Sequence, residues 1–140
     1  MGAYLARHGL APDTALVSSA QRTRETWEQV AVELSTPPVA AYDERLYNAG
    51  GGAILKVLKQ AGGRATTLLV IAHNPGLHHL ARTLIASGDV EWREQLNERL
   101  PTGGLVVIDF AVEDWSKLHA HAGRLERFVT PRSLAEANRV

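Results

Sequence analysis

The chain has 140 residues, 45% of them apolar, with no cysteine and 15 basic residues balancing 15 acidic ones. That length supports one hydrophobic core without covalent staples. The lack of cysteine excludes disulfides, thiolate metal sites and cysteine nucleophiles, and the balanced charge weakens the case for nucleic acid or an anionic membrane surface, which usually needs a basic stripe. No basic-then-apolar leader and no run of membrane-span length is visible, so a cytoplasmic chain is expected.

Near the start stands Arg7-His8-Gly9, a triplet that after an apolar run suggests a phosphate-handling histidine nucleophile. "TALVSSA" (14–20) is a short apolar strand that breaks into "SAQRTRETWEQVAVEL", where Trp27, Val30, Ala31 and Leu34 recur at helical spacing and Ser19 is the expected N-cap. "STPP" (35–38) stops that helix. "PVAAYDERLYNAGGG" reads as a short strand and a loop before a second helix, "AILKVLKQ". Residues 67–72 form a continuous apolar run, the pattern of a strand buried on both faces. Asn74 is placed to cap and Pro75 to occupy the first turn of the helix that follows. "VEWREQLNERL" (90–100) reads as a helix, and "GLVVIDFAV" (104–112) and "GRLERFVT" (123–130) as strands. Strands alternating with helices predict an α/β layered domain with a mainly parallel sheet flanked by helices.

In such sheets ligands bind beyond the carboxyl ends of the strands, where helix N-termini point free N–H groups at anions. Two segments place polar residues there: Ser18, Ser19 and Arg22 after strand 14–17, and His73 and Asn74 after strand 67–72. Arg22, on the first turn of its helix, is either a solvated arginine or a fork for phosphate or carboxylate. Arg24, two positions on, points elsewhere and is expected to pair with Glu28. His73 is either a core histidine bonded to backbone or a group that donates to an anion as imidazolium or moves a proton. The spacing of His73, His78 and His79 does not match a metal site, and His119 and His121 read as surface residues. No cofactor is indicated.

These segments resemble the histidine phosphatase superfamily, the phosphoglycerate mutase-like fold. "LVSSAQRTRETWE" is similar to its second signature and "LLVIAHNPGL" to its third, while "RLYNA" (45–49), "PTGGLVVIDF" (101–110) and "FVTPRSL" (128–134) resemble the bacterial phosphohistidine phosphatase branch. The likeness runs in order over nearly the whole chain, as one domain covering residues 1–140. It implies that Arg22 clamps a phosphoryl group, that His73 stabilises its charge, that Ser18 and Asn48 line the pocket, and that no metal is needed. It also implies a phosphorylated protein carrying phosphohistidine, or a small phosphoester, as substrate, with phosphate or sulfate as a simple ligand. Glu44 is the nearest candidate for the family's carboxylate proton donor, and its other reading is a surface residue.

In that family a loop and a long helix separate the nucleophilic Arg-His-Gly from the second strand, whereas only eight residues lie between Gly9 and Ser18. A parallel crossover needs a dozen or more. Residues 2–12 are therefore expected to be a helix end, with Tyr4 and Leu5 packed, Gly9 as a left-handed cap and Pro12 as a stop. On this reading the domain is N-terminally truncated, lacks its first central strand and its nucleophile, and is exposed to homodimer formation through open strand edges. Two alternatives stand beside it. One is a non-catalytic module that binds phosphate or a phosphoprotein. The other is an enzyme in which residues 2–7 form a strand beside strand 67–72 and His8 attacks.

Overall fold

The computed structural model describes residues 1–137, which fall into two compact units: residues 1–80 with 112–118, and residues 81–111 with 119 onward.

The first unit is built on a three-stranded parallel sheet. Its central strand β1 (Thr14–Ser18) pairs with β2 (Ala41–Asp43) on one side and β3 (Leu68–Ile71) on the other. Ala15, Leu16 and Val17 are all buried, as a central parallel strand covered on both faces demands. The crossovers are helices α2 (Gln21–Ala31) and α3 (Gly51–Ala61), which bury Thr23, Trp27 and Val30, and Ile54, Val57 and Leu58. The expected N-cap Ser19 is replaced by Ala20, because Thr23 Oγ1 donates back to the carbonyls of Ser18 and Ala20 and ties the turn from within the helix. Strand β3, expected to be buried on both faces, is only half-buried along its length. Trp115 completes the unit: it packs on Gly62 and its Nε1 donates to the Ala65 carbonyl at 2.8 Å.

Residues 2–7 are helix α1 (Gly2–Arg7), not a strand, which removes the arrangement that would put His8 beside β3. The helix ends as the local chemistry requires. Leu10 N–H bonds to the Leu5 carbonyl at 2.8 Å and Gly9 N–H to that of Ala6 at 3.4 Å, with Gly9 at φ +67°. This is a Schellman cap, which favours glycine at the left-handed position. A Cβ on Gly9 would meet open space, so Gly9→Ala isolates backbone strain. It is expected to cost about 1 kcal/mol, read as a lower urea midpoint at unchanged m-value.

The second unit centres on β6 (Gly123–Val129), flanked by β4 (Ile85–Gly88), parallel, and β5 (Leu105–Phe110), antiparallel. Thus the strands hydrogen-bond as two sheets, and β5 supplies the antiparallel pair. Ala81, Ile85, Leu96, Leu125 and Phe128 form its core, with Leu96 contributed by α5 (Val90–Glu98). Strand β4 is absent from the sequence reading. It follows α4 (Gly76–Leu84) without a linker, so no turn residue marks the change of period. Helix α6 (Pro131–Ala137) opens with a reciprocal cap between Thr130 and Ser133.

Candidate phosphoryl-binding site

The site follows from strand register. The Asp13 carboxylate accepts the N–H groups of Thr66 and Thr67 at 2.7 and 3.2 Å, fixing the starts of β1 and β3 against each other. Val17 then lies opposite Ile71. Each chain leaves its strand just beyond that pair, and the two next polar residues meet: Ser18 Oγ lies 2.7 Å from His73 Nε2. Ser18 is fully buried, and its hydroxyl oxygen also accepts the Ala20 N–H at 3.4 Å. The Tyr47 ring meets the His73 ring edge-on, with centroids 5.6 Å apart. The imidazole is therefore held by a hydrogen bond and by an aromatic edge.

The connection from β2 to α3 brings Tyr47 to this position. Asp43 caps a single 3-10 turn, Glu44–Leu46, whose Leu46 is buried, and Asn48 then adopts φ +49°. Arg45 is committed locally: its guanidinium bonds the Asp43 carboxylate, at 2.7 Å for the shortest contact, and Gln60 at 2.6 Å. The hydrogen bond from Arg45 holds the Asp43 carboxyl below its ordinary value. With the folded value below the unfolded one, this clamp stabilises the protein above the ordinary carboxylate range and is lost as pH falls through the folded value. Asp43→Asn is expected to cost under about 1 kcal/mol at neutral pH and to flatten the acid limb of a stability–pH curve, measured by urea unfolding.

At the same strand ends, helix α4 starts after Asn74 and Pro75. Asn74 Oδ1 accepts the His78 N–H at 3.2 Å, and Pro75 sits just before the first helical residue rather than within the first turn. Gly76 is pressed onto the Ala49 carbonyl, so the segment carrying Tyr47 and Asn48 and the segment carrying His73 share a contact.

Arg22 is the second residue of α2 and is exposed. Its side chain makes no hydrogen bond or ion pair among the described residues; Glu25, one turn on, accepts instead from Gln21 at 3.0 Å. A cation at a helix N-terminus opposes the macrodipole, so Arg22 stands where structure alone disfavours it. Arg24 behaves differently from the expectation of a Glu28 pair. It donates to the Ser19 carbonyl at 2.8 Å and lies over the Tyr42 ring at 4.1 Å.

Of the four residues singled out from sequence, Ser18 and His73 are in direct contact, Asn48 adjoins the Tyr47 that touches His73, and Arg22 lies one turn beyond Ser18. Asn48 is exposed beside them, with no contact to His73 shown. Tyr47 and Gly76 were not foreseen.

Solved structures share this fold. The structure of a putative phosphohistidine phosphatase SixA from Nakamurella multipartitia superposes with a TM-score of 0.78 at 24% identity, over 93% of this chain and 77% of that one. The putative phosphohistidine phosphatase SixA from Agrobacterium tumefaciens superposes at 0.74 and 23% identity, over 93% and 75%. A protein histidine phosphatase SixA complexed with tungstate superposes at 0.71 and 21% identity, over 95% and 78%. The chain has the fold of these SixA structures, an α/β domain with a parallel sheet flanked by helices.

Among curated sequences, the uncharacterised protein Rv1276c of Mycobacterium tuberculosis is 32% identical over 133 residues, 94% of this chain and 81% of that protein. An uncharacterised Mycobacterium leprae protein is 31% identical over 132 residues, 94% and 79%. The chain and these mycobacterial proteins belong to one family. No protein-family sequence profile matches it.

His8 stands apart from the Ser18–His73 contact. It is the C-cap of α1, with its ring 4.2 Å from that of Tyr4. The start of α1 packs on Val30 and Glu33, beyond the middle of α2 and toward its C-terminus. His8 thus precedes β1, whereas Ser18 ends β1 and His73 follows β3. Five strand residues separate the two ends, roughly 16 Å of extended chain. Among the described residues no helix is long and apolar enough to cross a membrane.

Proposed function

We propose that the edge carrying Ser18, Arg22, Asn48 and His73 binds a phosphoryl group, and that the chain is a phosphohistidine phosphatase-type phosphoryl hydrolase domain that lacks the nucleophilic histidine, His8 not filling that role. The observation that supports this most is the Ser18–His73 contact beside an arginine whose charge nothing in the described structure balances. A tetrahedral oxyanion supplies what that edge lacks. It accepts the bidentate fork of Arg22 and a donor from His73, and it adds negative charge at the N-terminus of α2. Positive charge comes from side chains, so no metal is invoked. Phosphohistidine suits such a site because a nitrogen leaving group needs less acid assistance than an alkoxide. The tungstate-bound SixA structure supports the choice of oxyanion, as tungstate is tetrahedral like phosphate.

A non-catalytic phosphate- or phosphoprotein-binding module is the second reading. The placement of His8 as a helix cap favours it, since the chain's own Arg-His-Gly triplet lies at the wrong end of β1. Turnover of a phosphohistidine protein and of an aryl phosphate, measured with chelator at neutral pH, separates the readings. Hydrolysis that survives His8→Ala and disappears in His73→Ala supports a hydrolase in which water attacks phosphorus directly as the nitrogen leaves. Oxyanion binding without hydrolysis supports the module. Hydrolysis abolished by His8→Ala overturns the assignment of His8.

A further inference from the structure

A serine hydrogen-bonded to a histidine at 2.7 Å has the outline of a nucleophile and its base. The surroundings of Ser18 give the pair a different meaning. A hydroxyl carries one hydrogen and two lone pairs. Ala20 N–H takes one lone pair of Ser18 Oγ, and among the described residues the remaining partner of that oxygen is His73 Nε2. Ser18 is buried completely, so solvent offers its hydrogen no acceptor. A proton on Nε2 would leave a buried O–H with nothing to bond, which is the expensive way to bury a polar group.

From this balance we infer that Ser18 donates to Nε2 and holds neutral His73 in the tautomer with its proton on Nδ1. The ring then presents an N–H, rather than a lone pair, on the side away from Ser18. Tyr47, edge-on to the same ring, keeps it from rotating away. Ser18 is accordingly a positioning residue. Its hydroxyl is fully covered, so it does not reach a substrate as a nucleophile. The consequence for ligands rests on the phosphoryl-binding reading: His73 donates to an oxyanion while neutral, and binding does not require prior protonation of the imidazole.

The test is a long-range proton–nitrogen correlation spectrum of the histidine-labelled chain without ligand. It is recorded at about pH 8.5, some two units above the ordinary imidazole value. The expected His73 pattern is that of the Nδ1-protonated ring, assigned by its loss in His73→Gln. Ser18→Ala is expected to convert it toward the Nε2-protonated form that free imidazole side chains prefer, and Ser18→Thr, which keeps the hydroxyl, to retain the original pattern. An Nε2-protonated ring in the unmodified protein overturns the inference, whatever the variants do. So does an unchanged pattern in a folded Ser18→Ala. Adding phosphate to the same sample separates this inference from the one it rests on. A Nδ1-protonated ring that ignores phosphate leaves the tautomer standing and removes the phosphoryl site.

Discussion

Arg22→Ala is expected to weaken phosphate or tungstate binding about 100-fold and to leave the fold intact. A guanidinium fork on an oxyanion makes two charge-assisted hydrogen bonds. At about 1.5 kcal/mol each these amount to about 3 kcal/mol, or two powers of ten in affinity. Nothing in the described structure offsets the loss by losing a partner of its own, because Arg22 is exposed and its side chain contributes no hydrogen bond to the fold. Removing a cation from a helix N-terminus is instead mildly favourable, by about 0.3 kcal/mol. The variant should therefore unfold at an equal or slightly higher urea concentration while binding poorly. Arg22→Lys keeps the charge and loses the fork, and should fall between the two. Calorimetric titration gives the affinities, and an Arg22→Ala protein that binds as well as the original would remove Arg22 from the site.

The second large effect is expected at Gly76. A Cβ there would collide with the Ala49 carbonyl oxygen, and it would also lie 3.1 Å from Ile54 Cδ1. The oxygen belongs to backbone, so relief requires moving either the 47–50 turn or the start of α4. One carries Tyr47 and Asn48; the other begins three residues after His73. Overpacking of this kind costs about 3 kcal/mol, and Gly76→Ala should show that cost in urea unfolding together with a loss of oxyanion affinity of at least about tenfold. Gly52→Ala is the internal control. A Cβ on Gly52, inside the first turn of α3, meets open space. That change should stabilise the protein by roughly 0.5 kcal/mol and leave binding alone. Equal behaviour of the two variants would mean that the Gly76 contact does not position the site.

How much of this was readable beforehand depends on the kind of signal. The runs 14–17, 104–112 and 123–130 are apolar and bounded by turn residues, and they appear as β1, β5 and β6 within one or two residues at most of their ends. The Gly9 cap was legible because a left-handed position names its residue. Strand β4 was not, since four residues directly after a helix carry no period of their own. The Ser19 cap failed because the helix begins one residue later, after Ala20, where Thr23 Oγ1 donates back to the Ser18 and Ala20 carbonyls and ties the turn. The site divides in the same way. Position at a strand end identified Ser18 and His73 separately. Their bond spans 55 residues and depends on which strands are neighbours and in what register, information that exists only once β1 lies beside β3. Tyr47 escaped notice for the same reason: nothing local says that a half-exposed tyrosine beside a glycine-rich turn reaches a histidine on another strand.

The most direct test of the central claim is a phosphate titration of the isotope-labelled chain, followed residue by residue by nuclear magnetic resonance. Binding at the proposed edge predicts saturable shifts confined to the β1–α2 turn with Arg22, to Tyr47–Gly50, and to the segment from Ala72 to Gly76. Shifts centred instead on the concavity lined by Arg99, Thr130 and Arg132, about 510 Å³ in volume, would contradict it, as would the absence of any saturable shift.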